Sequence, residues 1–118
     1  MNYAMLIYGD DASWVDLSLE ERMRLREAEM PKWIELFDEL RRADPNTAGQ
    51  ELDGRSSAKV VRVRDGERIV TDGPYAETKE IIGGFVLVEL PDLDEAIRLA
   101  ALVPAAHHGS VEIRPVLQ

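Results

Sequence analysis

Strand-like and helix-like segments follow one another along the 118 residues in an order that predicts an α+β fold. Strands are expected at residues 3–8, 58–64, 67–71, 85–90 and 111–116, with a short one near 50–52. Helices are expected from Ser18 to about Ala43 and from Asp92 to Pro104. Two further observations shape this prediction. Asp65-Gly66 between two strand-like runs is a two-residue hairpin signal. The runs at 3–8 and 85–90 are apolar at both alternating positions, although two helices can cover only one face of a sheet. The expected architecture is a split βαβ, ferredoxin-like βαββαβ with an extra hairpin. Its second face has to be covered by something else. The simplest cover is the same face of another subunit, an isologous homodimer. A lipid or ligand cavity on that face is the competing account.

Each element has a local reason. Tyr3, Met5 and Ile7 alternate with Ala4, Leu6 and Tyr8, and Gly9-Asp10-Asp11 ends the run. Ser18-Leu19-Glu20-Glu21 is a capping box that starts a long helix. Met23, Met30, Trp33, Phe37 and Leu40 mark its expected buried stripe. Pro31 predicts a kink or a break, and Asp44-Pro45-Asn46 is a stop signal. Gly83-Gly84 precedes a strand and not a helix, so it predicts a bulge or a close backbone approach, with no phosphate-cradling role. Asp92 and Glu95 form a second capping box. Pro115 places the last strand at an edge or puts the proline near the strand end.

Composition narrows the classes of function. The chain reads as a single domain, 1–118, of ordinary size. It has no cysteine, which excludes disulfides and thiol catalysis and is compatible with a cytoplasmic location. The net charge of -9, from 14 basic and 23 acidic residues, disfavours nucleic acid as a partner. No apolar run is long enough for a membrane span. The apolar start is too short, and lacks the basic flank, for a secretion signal. No nucleotide fingerprint is present and no cofactor is expected.

Polar chemistry concentrates in Asp72-Gly73-Pro74-Tyr75-Ala76-Glu77-Thr78-Lys79-Glu80. Gly73-Pro74 is a turn device. Asp72 is a turn cap or a general base. Glu77 reads as a solvated residue, Thr78 can cap or bind, and Lys79 can hold an anion. His107 and His108 are the two histidines. Adjacent side chains on an extended segment point apart, so they make a poor metal pair. Either can serve singly as an acid or base if a partner such as Asp72 lies within reach. Arg62, Arg64, Glu112 and Arg114 interrupt apolar strands. They form either a solvated face or, at a subunit interface, the wall of a charged pocket.

The nonapeptide, with Gly83-Gly84-Phe85 downstream and Val111-Glu112-Ile113-Arg114-Pro115-Val116 at the end, resembles the DGPF branch of the YCII-related proteins. The resemblance covers nearly the whole chain, with Tyr75 in place of the name-giving phenylalanine. It implies a ferredoxin-like fold of the dimeric α/β-barrel type. Some YCII-related relatives are small enzymes that use a His-Asp pair, the histidine following the first strand. Here that region reads Tyr8-Gly9-Asp10-Asp11, without one. Genes of the branch often lie beside alternative sigma-factor genes, which implies a regulatory context.

The expected function is therefore a small-molecule enzyme or binder with a pocket near the Asp72-Gly73-Pro74 loop. Asp72, with His107 or His108, is the acid/base candidate. Gly73, Pro74, Tyr75, Glu77, Thr78, Lys79 and Arg114 are the ligand-binding candidates, with Arg114 or Lys79 holding an anionic group. The alternative is a noncatalytic regulatory or assembly module, linked to sigma-factor-dependent transcription, whose 72–80 loop builds the fold or docks a protein.

Overall fold

The computed structural model describes residues 1–10, 14, 16–75 and 78–117. In chain order the elements are β1 (Asn2–Gly9), α1 (Leu19–Ala43), β2 (Ala48–Glu51), β3 (Lys59–Arg64), β4 (Glu67–Asp72), β5 (Ile81–Glu89), α2 (Leu93–Ala100) and β6 (Ser110–Pro115). Two short 3-10 turns, Arg55–Ser57 and Pro104–His107, lie in the connections. Strands β2-β5-β1-β6 make one antiparallel sheet, and β3 and β4 pair only with each other. This is the expected α+β architecture with its extra hairpin. The strand order is consistent with a ferredoxin-like sheet.

The core lies on one face of that sheet. Tyr3, Met5 and Ile7 of β1 and Val86 and Val88 of β5 pack with Leu36 and Leu40 of α1 and with Ala96 and Leu99 of α2. The intervening side chains Ala4, Leu6, Tyr8 and Phe85 are half-buried, and Leu87 is 46% exposed. Both helices thus cover the same face, and among the described residues no helix lies over the apolar residues of the other face.

The caps form as the sequence predicts. The Glu21 amide donates to Ser18 Oγ at 3.1 Å, and the Ser18 hydroxyl donates to the Glu21 carboxylate at 2.9 Å. The Glu95 amide donates to Asp92 Oδ1 at 2.9 Å. At the far end of α1, Asp44 accepts from the amides of Asn46 and Glu89, both at 2.9 Å, and so ties the helix terminus to the end of β5.

Of the kink or break expected at Pro31, the break is not found, and the expected buried stripe of α1 is corrected. The helix is continuous through Pro31. The proline is exposed, as is Glu27 one turn earlier, so the carbonyl it leaves without a partner can be met by water. Met23 and Met30 are exposed, and burial in this helix is confined to Leu36 and Leu40, with Trp33 and Phe37 partly covered. Twenty-five helical residues span about 37 Å, whereas β1 spans about 26 Å, so the first turns of α1 outrun the sheet.

In β5 the pairing passes from Ile7 with Gly84 to Tyr8 with Ile82, which leaves Gly83 as the extra residue of a bulge. A Cβ on Gly84 would stand 3.1 Å from the Gln50 carbonyl, the close approach expected there. The Val116 amide donates to the Asn2 carbonyl at 2.8 Å, which turns the nitrogen of Pro115 away from β1 on an edge strand.

The hairpin turns on Asp65 (φ 52°) and Gly66 (φ 77°), the backbone that a two-residue type I′ loop requires. It shares no ladder with the main sheet. The radius of gyration, 16.2 Å, exceeds the roughly 13–14 Å of a close-packed chain of this length. The hairpin and the overhanging turns of α1 account for the excess. Among the described residues, no helix is long and apolar enough to cross a membrane.

Candidate functional site

The nonapeptide starts at the root of the hairpin. Asp72, the last residue of β4, is 86% exposed at its side chain and forms an ion pair with Lys59, its register partner on β3. The hydrogen bond from Lys59, and then its charge, holds the Asp72 carboxyl below the ordinary aspartate range. Gly73 follows, its amide donating to Ala58 O at 2.8 Å. A Cβ at Gly73 would stand 3.0 Å from that of Ala58, so glycine allows the strands to close. Pro74 follows through a cis peptide bond. Tyr75 is exposed, and the Arg62 guanidinium lies 5.5 Å from its ring centroid, a cation–π distance. Glu77 lies outside the described residues, as does Asp11.

The loop is fastened again where it rejoins the sheet. Arg55 donates to the carbonyls of Thr78 at 3.1 Å and Lys79 at 2.9 Å. The Thr78 hydroxyl donates to Glu80 O at 2.6 Å. The Ser110 hydroxyl reaches the Glu80 carboxylate at 3.3 Å. Lys79 is exposed. The loop thus runs from the hairpin root to the start of β5, and its described polar contacts go mainly to Ala58, Lys59, Arg55 and Ser110 outside it, with the Thr78 hydroxyl turned to its own backbone.

The histidines have other neighbours. His107 closes the 3-10 turn before β6, and His108 Nε2 lies 3.2 Å from Glu29 of α1. The partner of Asp72 is Lys59 and that of His108 is Glu29, so the structure does not pair these two acid/base candidates with each other. Both histidines are solvent-exposed or nearly so. Among the described residues, no group of three or more His, Asp or Glu side chains is placed to hold a metal ion.

A second polar group lies on the uncovered sheet face. Pairing sets Leu6 between Phe85 and Glu112, Ala4 between Leu87 and Arg114, and Tyr8 beside Ser110. The Tyr8 hydroxyl donates to Glu112 Oε1 at 3.2 Å. Partial burial, and then the Glu112 charge, push the Tyr8 phenol above its ordinary value, while Arg114 pulls the other way. An apolar strip of Ala4, Leu6, Phe85 and Leu87 is thereby bordered on the β6 side by a phenol, a carboxylate and a guanidinium. That arrangement can hold a molecule with an apolar body and an anionic or hydrogen-bonding end. Sequence reasoning named Arg114 as an anion holder for a pocket near the Asp72-Gly73-Pro74 loop and left Tyr8 out. Tyr8 and Glu112 are 104 residues apart, and only the β1–β6 register brings them together.

Among the concavities of the described surface are two on α1 and β2. One, about 410 Å³, is lined by Leu19, Glu20, Met23, Arg24 and Glu27 on the overhanging turns of α1. The other, about 380 Å³, lies along the free edge of β2 between Phe37, Arg41 and Gln50. Neither is lined by Asp72, a histidine or Tyr8.

An antiparallel α+β sheet with helices on one face and a polar-edged apolar strip on the other defines the structural class. The YCII-related domain matches residues 1–118, and the chain belongs to that family. It is also 38% identical over 123 residues to an uncharacterised protein of Rhizobium meliloti (strain 1021), a match that covers 98% of this chain and 92% of that protein.

Proposed function

We propose that the chain is a small-molecule binder or enzyme of the YCII-related family that works as a homodimer, its uncovered sheet faces turned toward each other. The observation that carries this is the partly exposed apolar strip Ala4, Leu6, Phe85 and Leu87, which no helix covers among the described residues and which Glu112 and Arg114 border. Each large apolar side chain left in water forfeits roughly 1.5–3 kcal/mol, so a second layer over the strip is strongly favoured. The border carries both signs of charge on one strand. Twofold apposition sets Arg114 of one copy against Glu112 of the other, which is the self-complementarity an isologous contact needs. The volume enclosed between the sheets is where an amphipathic carboxylate fits, its anion sharing the remaining N–H donors of Arg114.

The test pairs solution mass with ligand titration. Wild type is expected to be a dimer at micromolar concentration, and Leu87→Lys, at an already half-exposed position, to be a folded monomer. Benzoate is expected to shift the amide resonances of residues 6, 8 and 114 in the wild type and to leave them in place in Arg114→Gln. A wild-type monomer that ignores benzoate would refute the proposal. A second reading, the noncatalytic assembly module, is favoured by Asp72, whose carboxylate is exposed and already neutralised by Lys59. It expects the dimer without the benzoate response.

A further inference from the structure

We infer that the β3–β4 hairpin is an arm that clasps a second copy of this chain, with the first half of the nonapeptide as its shoulder. The inference shares a second copy with the proposed function but uses a different surface, so each can fail alone. Its starting point is that the hairpin has no apolar support of its own. Val61 and Val63 on β3 and Val70 on β4 share one face and are 60%, 61% and 55% exposed. On the opposite face Ile69 is exposed as well, beside Arg62. An isolated two-stranded hairpin is at best marginal in water. A hairpin with β-branched residues bare on both faces therefore needs a surface to lie on.

The arm is nonetheless held stiffly at its base. Lys59 pairs with Asp72, Arg62 stacks on Tyr75, and Arg55 grips the carbonyls of Thr78 and Lys79. These contacts fasten the root of the arm, and Asp72 and Tyr75 contribute to them.

Charge selects the occupant. Residues 59–72 carry four basic groups, Lys59, Arg62, Arg64 and Arg68, against three acidic ones, Asp65, Glu67 and Asp72. The whole chain is at -9, so the rest of the molecule carries more than the entire negative excess. A basic arm that meets an acidic body is attracted to another copy of that body. A matching seat exists on the overhang of α1. There Leu19 and Met23, both exposed, flank a groove of about 410 Å³ that Glu20, Arg24 and Glu27 also line, with Arg24 paired to Glu20 at 3.8 Å. The arm's valines fit the apolar floor, and Arg68, on the valine face, fits Glu27. Two arms about 20 Å long and about 10 Å wide, seated on their valine faces, bury on the order of 400 Å², and their seats bury as much. The total of roughly 800 Å² is about half of a standard stable interface, so the arm adds to a contact elsewhere on the two copies.

The test uses Val61→Asp/Val70→Asp, exposed positions whose change leaves the core intact, with circular dichroism to show that the variant folds. The dimer dissociation constant is expected to rise by at least about tenfold. A photo-crosslinking residue at position 63, in a mixture of isotope-labelled and unlabelled chains, is expected to link the arm to the 19–30 segment of the other copy. An unchanged dissociation constant, a wild-type monomer, or links confined to one chain would overturn the inference. If Leu87→Lys stays dimeric while the arm variant dissociates, the sheet-face contact is wrong and the arm stands. The reverse result removes the arm and leaves the sheet contact in place.

Discussion

Asp72 shows how a single residue changes meaning between sequence and structure. Its carboxylate is held ionised by Lys59, in a setting that favours a strut over a base, because a general base works best with its pKa near the operating pH. Since the folded value is depressed, the pair's contribution to stability is present above the unfolded value of 3.8. It is lost as pH falls through the lower folded value. In a carbon-detected NMR titration the Asp72 carboxyl is expected to show a midpoint below 3.8, and Lys59→Met to move it back toward that value. An unchanged midpoint in the variant would show that the pair is not formed in solution. Gly109 gives a sharper steric case. A Cβ there would stand 2.2 Å from the Tyr8 carbonyl, whereas one on Gly83 would meet nothing within 4 Å. Gly109→Ala is therefore expected to lower stability by about 1–3 kcal/mol in urea denaturation, and Gly83→Ala to cost distinctly less.

At the scale of elements, the sequence was informative wherever a signal is local. The N-caps at Ser18 and Asp92, the Asp65-Gly66 turn and the Gly83 bulge each depend on a few adjacent residues and stand where they were read, except that the Glu95 carboxylate turns to Arg98 instead of closing its box. The stripe on α1 was only half right, for a physical reason. Three-to-four periodicity records that Met23, Met30, Trp33, Phe37 and Leu40 share a side of the helix, but not whether the sheet reaches all of them. Leu40→Ala is expected to cost about 2–5 kcal/mol, because it opens a cavity in the core. Met23→Ala, beyond the end of the sheet, is expected to fall within about 0.5 kcal/mol by chemical denaturation at concentrations where the chain is monomeric. Equal costs would mean that α1 packs along its full length within one chain. The candidate site was less legible than the elements. Tyr8 with Glu112, and His108 with Glu29, are partners across most of the chain. Such pairs follow from strand register and helix placement, which no window of neighbouring residues contains.

For the whole molecule, the main fact is an imbalance between apolar surface and cover. Two helices close one face of a four-stranded sheet. The other face, the hairpin and the overhang of α1 are left with exposed valine, leucine and methionine side chains. The alternation of β1 and β5 announced the bare face from the sequence. It did not announce the hairpin's isolation, because the strand pattern of β3 and β4 is the same whether they join the main sheet or stand apart. The solution-mass experiments on Leu87→Lys and on Val61→Asp/Val70→Asp divide the assembly between these surfaces.

The hairpin's separate ladder also bears on how such a chain can diversify. Residues inserted or removed near Asp65-Gly66 change neither the register of β5 on β1 nor any residue of the core. Length and charge can therefore drift there without penalty to folding. On the inferred arm contact, two paralogues differing only in those fourteen residues would differ in that contact while keeping the same scaffold.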